Sequence, residues 1–223
     1  MAGKIIVIEG LDGSGKATQT ELLYKRLKDD GMNVKKLTFP CYDSDSSALV
    51  RMYLGGELGN NPNAVNPYTA SAFYAVDRAA SFIKDWKEDY DSGTVFLCDR
   101  YSTSNPIYQL CKLAEDEYDE FLQWIQDFEH NKLEIPAPDY VIYLDMPTEV
   151  SQKLLSKRYK GNEEKKDIHE KNLDFLNKCR KSAEICAEKM GWKVISCAKK
   201  GEPRAIEEIA QDVYSHISKS IGE

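Results

Sequence analysis

A glycine-rich loop between a predicted strand and a predicted helix constrains this chain more than any other feature. Residues 10–18 run G-L-D-G-S-G-K-A-T, with the spacing G-x-x-x-x-G-K of a Walker A loop. In such a loop the glycines let backbone N–H groups turn inward around phosphate oxygens, and the following helix N-terminus adds partial positive charge. The alternative is a glycine-rich turn that only caps a helix. The strand before the loop and the helix after it favour a site for a nucleotide's phosphates.

One position of the loop departs from the pattern. Lys16 is expected to reach the β- and γ-phosphates of a nucleotide as a mobile point charge. The next residue should be serine or threonine, whose hydroxyl ligates Mg²⁺, but it is Ala17. Thr18 could substitute, although one residue along a helix turns the side chain by about 100°. We favour the other possibility, in which the nucleotide, water and carboxylates hold the Mg²⁺.

Apolar runs and helical patterns alternate along the rest of the chain. Five apolar runs predict buried parallel strands, at 5–8, 34–39, 94–98, 140–144 and 193–197. Six helical patterns lie between and after them, at 19–29, 69–90, 118–129, 148–159, 170–190 and 205–221. This alternation predicts an α/β fold, a doubly wound parallel sheet with helices on both faces. Ligands of such sheets bind at the carboxyl ends of the strands.

The composition narrows the class of protein further. A net charge of −7 argues against a general nucleic-acid binder. No apolar run approaches the ~18 residues of a membrane helix, and the first residues lack a secretory pattern, so we expect a cytoplasmic protein without membrane contact. Six cysteines with no C-x-x-C pair indicate reduced thiols. No linker composition divides the 223 residues, which we interpret as one domain.

Charged residues follow the third predicted strand. Asp99 closes that strand and Arg100 comes directly after it. An aspartate at this place beside a phosphate-binding loop can hold Mg²⁺ through water. The planar fork of the adjacent arginine can clamp two phosphates. The alternative is a surface ion pair at the end of a strand.

Two further segments carry residues that suit nucleotide binding. Tyr74 and Arg78 lie four apart in a helical pattern, and therefore on one face, where they could stack on a base and bind its edge. The alternative, which these residues alone favour, is a core aromatic with a snorkelling arginine. The polar segment 158–170 could be a mobile lid that closes over phosphates, or only a solvated loop.

Taken together, these residues resemble the thymidylate kinase family of nucleoside monophosphate kinases. The likeness extends from about residue 5 to about 175. It rests on E-G-L-D-G-S-G-K-x-T-Q from residue 9, F-P at 39, F-Y at 73, D-R at 77, D-R-Y-x-x-S at 99, Y-Q at 108 and D-I-H-E at 167. The resemblance implies a P-loop NTPase fold with a five-stranded parallel sheet, a flexible lid at about 158–170 and a homodimer. It implies transfer of the γ-phosphoryl group of MgATP to dTMP.

The resemblance also assigns roles to residues. ATP would be bound by the loop, at Gly10, Gly13, Ser14, Gly15, Lys16, Ala17 and Thr18. The acceptor nucleotide would contact Asp12, Phe39, Arg51, Tyr74, Arg78, Arg100, Ser104, Tyr108 and Gln109. Arg100 would bridge the donor and acceptor phosphates, and Asp99 would bind the waters of Mg²⁺, with Asp12 a possible second metal contact. Tyr74 would stack on the base, and Tyr108 would disfavour a ribose 2′-hydroxyl.

Departures from the family pattern shift some of these roles. Gly13 leaves the loop without a basic residue, so we expect the lid to supply transition-state charge through Arg158, with Lys160, Lys165 and Lys166 behind it. Arg51 could replace an arginine that often follows the F-P pair. The predicted catalytic residues are Lys16, Arg100, Asp12 and Arg158. Two alternatives stay open, a kinase for another nucleotide or nucleoside, and a nucleotide-binding protein whose chemistry was lost with the change to Ala17.

Overall fold

The computed structural model describes residues 2–158, 168–170 and 172–221. Its main sheet has five parallel strands in the order β2-β3-β1-β4-β5. The strands are β1 (Lys4–Glu9), β2 (Val34–Thr38), β3 (Val95–Asp99), β4 (Tyr140–Asp145) and β5 (Lys193–Ser196). Two short antiparallel strands follow, β6 (Ala198–Lys199) and β7 (Glu202–Pro203). The predicted five-stranded parallel sheet is confirmed.

The helices of the described residues cover both faces of this sheet. They are α1 (Lys16–Asp29), α2 (Ala48–Leu54), α3 (Pro67–Ser81), α4 (Lys87–Asp91), α5 (Ser104–Gln109), α6 (Tyr118–Gln126), α7 (Thr148–Arg158), α8 (Leu173–Met190) and α9 (Ile206–Ile221). A π-helical segment, Phe82–Trp86, joins α3 to α4, and another, Asp127–Lys132, extends α6. Within the described ranges, no helix combines the length and the apolarity that crossing a membrane requires.

The central strand β1 explains why the sheet is buried on both sides. Ile5, Ile6, Val7 and Ile8 are fully buried, as the continuous apolar run predicts. Ile6 and Ile8 pack in one cluster with side chains of α1 and α9, while Ile5 and Val7 pack in another with the π-helical segment after α3. A third cluster joins α5, α6 and α8. Helices on opposite faces therefore fix the sheet that carries the loops below.

Three loops meet at the carboxyl ends of β1, β2 and β3. The loop 10–15 follows β1, the segment 39–42 follows β2 and the segment 100–103 follows β3. The peptide bond between Phe39 and Pro40 in the second of these is cis. Because the strands are parallel and adjacent, these loops share one rim of the sheet.

Most of the lid predicted at 158–170 lies outside the described residues. Lys160, Lys165, Lys166 and the side chain of Arg158 belong to this part, so their predicted roles stay predictions. The turn 168–170 is described, and its His169 and Glu170 side chains are buried.

Candidate active site

The loop after β1 folds as a cradle whose floor needs glycine. Gly10 has φ 154°, and a Cβ atom there would lie 2.5 Å from Ser14 Oγ and 2.9 Å from Leu144 O. Gly15 caps α1 in a left-handed conformation without a side-chain hydrogen bond, which leaves the first N–H groups of α1 without a side-chain acceptor. Such N–H groups, together with the helix dipole, favour an anion.

Lys16 lies folded across this loop. Its Nζ donates to Leu11 O at 3.0 Å and is 3.8 Å from Asp12 Oδ1. Burial lowers the pKa of Lys16 to about 8, and the nearby Arg100 acts in the same direction. Bound phosphate oxygens would favour the charged form of Lys16. A phosphate ligand would therefore stabilise the charge of this lysine.

Asp12 and Arg100 form an ion pair between the first and third loops. The Arg100 guanidinium donates to Asp12 Oδ1, and Tyr108 donates to Asp12 Oδ2 at 3.1 Å. Burial alone would raise the pKa of Asp12, but Arg100 and Lys16 outweigh it and hold that pKa below its usual range. The carboxylate therefore stays ionised at neutral pH.

Glu9 organises the loop that carries Arg100, and no role was predicted for it. Its fully buried carboxylate accepts from Tyr101 N at 3.3 Å, Thr103 Oγ1 at 2.7 Å and Ser104 Oγ at 2.9 Å. Burial raises the pKa of Glu9 despite Arg100 and these hydrogen bonds. Arg100 itself has φ 67°, an unusual conformation for a side chain other than glycine. The bonds to Glu9 hold the residues that follow Arg100 and so stabilise this conformation.

Arg78 does not snorkel to the surface, although the residues alone favoured that interpretation. It is 2% exposed and donates twice to Glu129, at 2.8 and 2.9 Å. Asn105 Nδ2 also donates to Glu129 Oε1 at 2.6 Å. These hydrogen bonds to Glu129 use Arg78 Nε and Nη2, and Arg78 also lines a cavity. A guanidinium in the wall of a cavity can donate to a carbonyl oxygen of a ligand.

Gln109 is a second polar side chain directed at the same cavity. It is fully buried, and neither its amide nitrogen nor its amide oxygen has a partner among the described residues. A buried amide without partners costs free energy, so a ligand that offers both a donor and an acceptor would relieve it.

Two adjoining cavities contain most of the predicted site residues. The donor cavity contains the loop residues Gly13, Ser14, Gly15, Lys16, Ala17 and Thr18, together with Asp99 and Glu170. The acceptor cavity contains Tyr74, Arg78, Ser104, Tyr108, Gln109 and His169. Asp12, Phe39 and Arg100 line both cavities. The Asp12–Arg100 pair therefore stands where the two cavities meet.

Arg51 and Gly10 are placed differently from the other predicted residues. Arg51 Nη1 donates to Tyr42 O and Ser44 O, both at 2.8 Å, and Arg51 lines neither cavity. It therefore holds the segment after the cis peptide bond, and a direct role at the acceptor phosphate stays a prediction. Gly10 is buried and lines neither cavity.

Several residues of the site were given no role from the sequence. Glu9 closes β1 directly before the loop and begins the first motif of the family resemblance, and these were the signals available for it. Tyr42 lines both cavities, and Asn105 and His169 line the acceptor cavity. Glu129 lies 51 residues from its partner Arg78, a separation that no local pattern connects.

A phosphate cradle, a second cavity beside it and an arginine between them define a P-loop phosphotransferase that acts on a second, phosphate-bearing molecule. The thymidylate kinase family model matches residues 8–209. The chain belongs to the thymidylate kinase family, and it is a kinase of the nucleoside monophosphate type.

Individual relatives agree with this assignment. The thymidylate kinase of Mycobacterium tuberculosis is 30% identical over 202 residues, covering 86% of this chain and 90% of that protein. A probable thymidylate kinase of Pyrococcus horikoshii is 32% identical over 158 residues, 71% of this chain and 72% of that protein. The solved thymidylate kinase structure from Candida albicans has a TM-score of 0.70 at 18% identity, with 98% of this chain and 92% of that chain covered. At that identity the likeness supports the fold alone.

Proposed function

We propose that this chain transfers the γ-phosphoryl group of MgATP to dTMP and so produces dTDP. The observation that carries the proposal is the junction of the two cavities, where Arg100 and Asp12 line both. One cavity offers a phosphate cradle and the other offers buried donors and acceptors. The cytoplasmic location expected from the sequence belongs to the same proposal.

The transfer is direct and needs no catalytic base. An oxygen of a nucleoside monophosphate is already a nucleophile at neutral pH, so catalysis consists of positioning and charge neutralisation. Lys16 and the N–H groups of the loop hold the donor phosphates, and Arg100 draws the acceptor phosphate toward them. Asp12 neutralises and orients the Arg100 guanidinium between the two phosphates. A lid arginine, Arg158, is proposed to add positive charge on closure.

The acceptor cavity suits a thymine base. Thymine offers carbonyl oxygens as acceptors and one ring N–H as a donor. Arg78 can donate to a carbonyl, and the Gln109 amide can both donate and accept. Tyr74 lines the same cavity and is proposed to stack on the base, while Tyr108 lies beside Asp12 and restricts space at the sugar.

The residues present fit a magnesium ion that arrives with the nucleotide. Mg²⁺ prefers oxygen ligands and keeps several waters, with one or two carboxylates and phosphates completing its shell. Asp12 stays ionised and Asp99 lines the donor cavity, so both are suited to hold Mg²⁺ through water. When bound, Mg²⁺ supplies charge neutralisation of the transferred phosphoryl group.

The change Ala17→Ser tests how complete this metal site is. Ala17 lines the donor cavity, and a hydroxyl there is expected to lower the Mg²⁺ concentration for half-maximal rate about three-fold, since it adds one ligand to a shell already built from carboxylates and water. The measurement is a Mg²⁺ titration of the initial rate at saturating ATP. An unchanged titration curve would show that the carboxylates and phosphates suffice.

The acceptor is identified by an ADP-release assay against a panel of nucleosides and nucleoside monophosphates. The expected result is the highest kcat/KM for dTMP. Phosphorylation of another acceptor with higher kcat/KM would replace thymine in the proposal, and the panel is needed because the Candida albicans enzyme is described as having broad substrate specificity. Nucleotide binding without transfer to any acceptor at saturating Mg²⁺ would favour the catalytically impaired alternative.

The change Gln109→Leu separates recognition from stability. Removing a buried amide that has no partner in the described part of the chain is expected to leave Tm unchanged or raise it, because the leucine fills a similar volume. The same change removes a contact to the base, so KM for dTMP is expected to rise about ten-fold. Steady-state kinetics and thermal unfolding of the same sample measure both. An unchanged KM for dTMP would remove Gln109 from the base site.

We also propose a homodimer that forms through α3 and the π-helical segment after it. Val76 and Ile83 are 48% and 71% exposed, unusually high values for large apolar side chains, and Ala72 and Ala80 lie on the same helical face. A second copy would bury this stripe. Ile83→Glu is expected to yield a monomer in light scattering after size exclusion, whereas Val194→Glu, at a similarly exposed site on β5, should not. A monomeric wild-type protein would refute the proposal.

A further inference from the structure

Three side chains outside the phosphate site form a row of hydrogen bonds that ends in the acceptor cavity. Lys112 Nζ lies 3.0 Å from Tyr53 Oη, and Tyr53 Oη lies 3.0 Å from His169 Nε2. Tyr53 and His169 are buried, at 1% and 4% exposure. His169 lines the acceptor cavity. The three residues come from α2, the short segment after α5 and the turn 168–170. Their hydrogen bonds, which we call the anchor, therefore connect three separate parts of the molecule.

Three hydrogen-bond contacts meet at the Tyr53 hydroxyl. A lysine ammonium only donates, so Tyr53 Oη accepts from Lys112. The Tyr53 hydroxyl lies 3.2 Å from Pro62 O, to which it donates its proton. Its second lone pair then accepts from His169 Nε2–H. The arrangement that satisfies these three contacts together carries the proton of the neutral His169 ring on Nε2.

His169 stays uncharged in this setting. Burial lowers the pKa of His169 to about 3, with Lys112 and Arg100 acting in the same direction. The neutral ring stacks on Tyr108, with the ring centres 5.3 Å apart and the planes 17° from parallel. Tyr108 donates to Asp12, the carboxylate that binds Arg100. The hydrogen bonds from Lys112 to His169 therefore support Tyr108, which lies beside the Asp12–Arg100 pair between the two cavities.

We propose that Lys112 and Tyr53 are positioning residues of the acceptor site, which hold His169 against Tyr108 and so fix the wall under the acceptor nucleotide. The inference rests on the proposed function for the identity of that nucleotide. The turn 168–170 also places Glu170 in the donor cavity, so the hydrogen bonds from Lys112 and Tyr53 fix a turn that borders both cavities. Without the anchor the wall still forms, but it loses its fixed position.

The first test removes one atom of the anchor. Tyr53→Phe keeps the ring and deletes the hydroxyl, and a buried hydrogen bond is worth about ten-fold in an equilibrium constant. KM for dTMP is expected to rise about five- to ten-fold while kcat and KM for ATP change less than about two-fold. Lys112→Met should act in the same direction, and Lys112→Arg should restore most of the affinity. Tyr214→Phe, which removes a hydroxyl that donates to the distant Asp30 at 2.9 Å, is the matched control.

A second measurement follows the anchor itself. In ¹⁵N-histidine-labelled protein, the wild-type His169 signals should show a protonated Nε2 and an unprotonated Nδ1, and Tyr53→Phe should shift this distribution. Unchanged KM for dTMP in both Tyr53→Phe and Lys112→Met would overturn the inference. Equal losses for dTMP and ATP with a lower Tm would also overturn it, because they indicate a merely structural role. If wild-type protein does not phosphorylate dTMP, the proposed function fails, while the His169 signals still decide whether the anchor exists.

Discussion

Arg100→Ala is expected to lower kcat about a thousand-fold, with KM for ATP changed less than about three-fold. Arg100 lines both cavities and pairs with Asp12 at their junction, where charge moves from donor to acceptor during transfer. A guanidinium held there binds the transition state more tightly than the ground state. The loss corresponds to about 4 kcal/mol of transition-state stabilisation. A coupled ADP-release assay with both substrates varied measures it.

Two further variants make this result specific. Arg180 donates to both oxygens of Asp145 at 2.9 and 3.0 Å but lines neither cavity, so Arg180→Ala is expected to keep kcat within about two-fold. Arg100→Lys keeps a positive charge without the planar fork, and it should recover little of the lost rate. A kcat for Arg100→Ala within ten-fold of wild type would exclude Arg100 from the transfer step.

The sheet could be predicted from the sequence because its strands are local and strongly apolar. Each of the five predicted strands is present, with ends that differ by no more than one residue. The short helices α2 and α5 could not be found in the same way. The sequence of α5, S-N-P-I-Y-Q, has a proline and too few residues for a helical period. The continuous pattern at 69–90 also hid the π-helical segment within it, since hydrophobic periodicity does not report one extra residue per turn.

Only those residues of the site that belong to local sequence patterns could be predicted. The loop 10–18 and the pair Asp99–Arg100 follow strands, so their place at one rim followed from the fold. The partners of Arg78 could not be predicted, because Glu129 and Asn105 reach it through tertiary packing. A sequence pattern gives the face of a helix on which an arginine lies. It does not show whether a distant carboxylate compensates the free-energy cost of burying the arginine's charge.

Lys16→Ala is expected to lower kcat at least about a hundred-fold, with a smaller loss of ATP affinity. The loop keeps its backbone N–H groups and the N-terminus of α1 in the variant, so phosphates still bind. What disappears is a charge that reaches the phosphates during transfer. Lys16 is prepared for this role because, among the residues that the structure describes, its Nζ is held by Leu11 O at 3.0 Å and by Asp12 at 3.8 Å.

The comparison that isolates this effect uses a lysine of the same helix. Lys25 lies on the exposed side of α1, with 66% of its side chain accessible and Glu21 at 3.7 Å, so Lys25→Ala is expected to leave kcat unchanged. Calorimetry with a non-hydrolysable ATP analogue measures binding separately from the rate. If Lys16→Ala lost binding and rate by the same factor, the lysine would act in the ground state as much as in the transition state. A larger loss in rate than in binding follows from a loop that holds the phosphates by its backbone and uses its one lysine for the transfer.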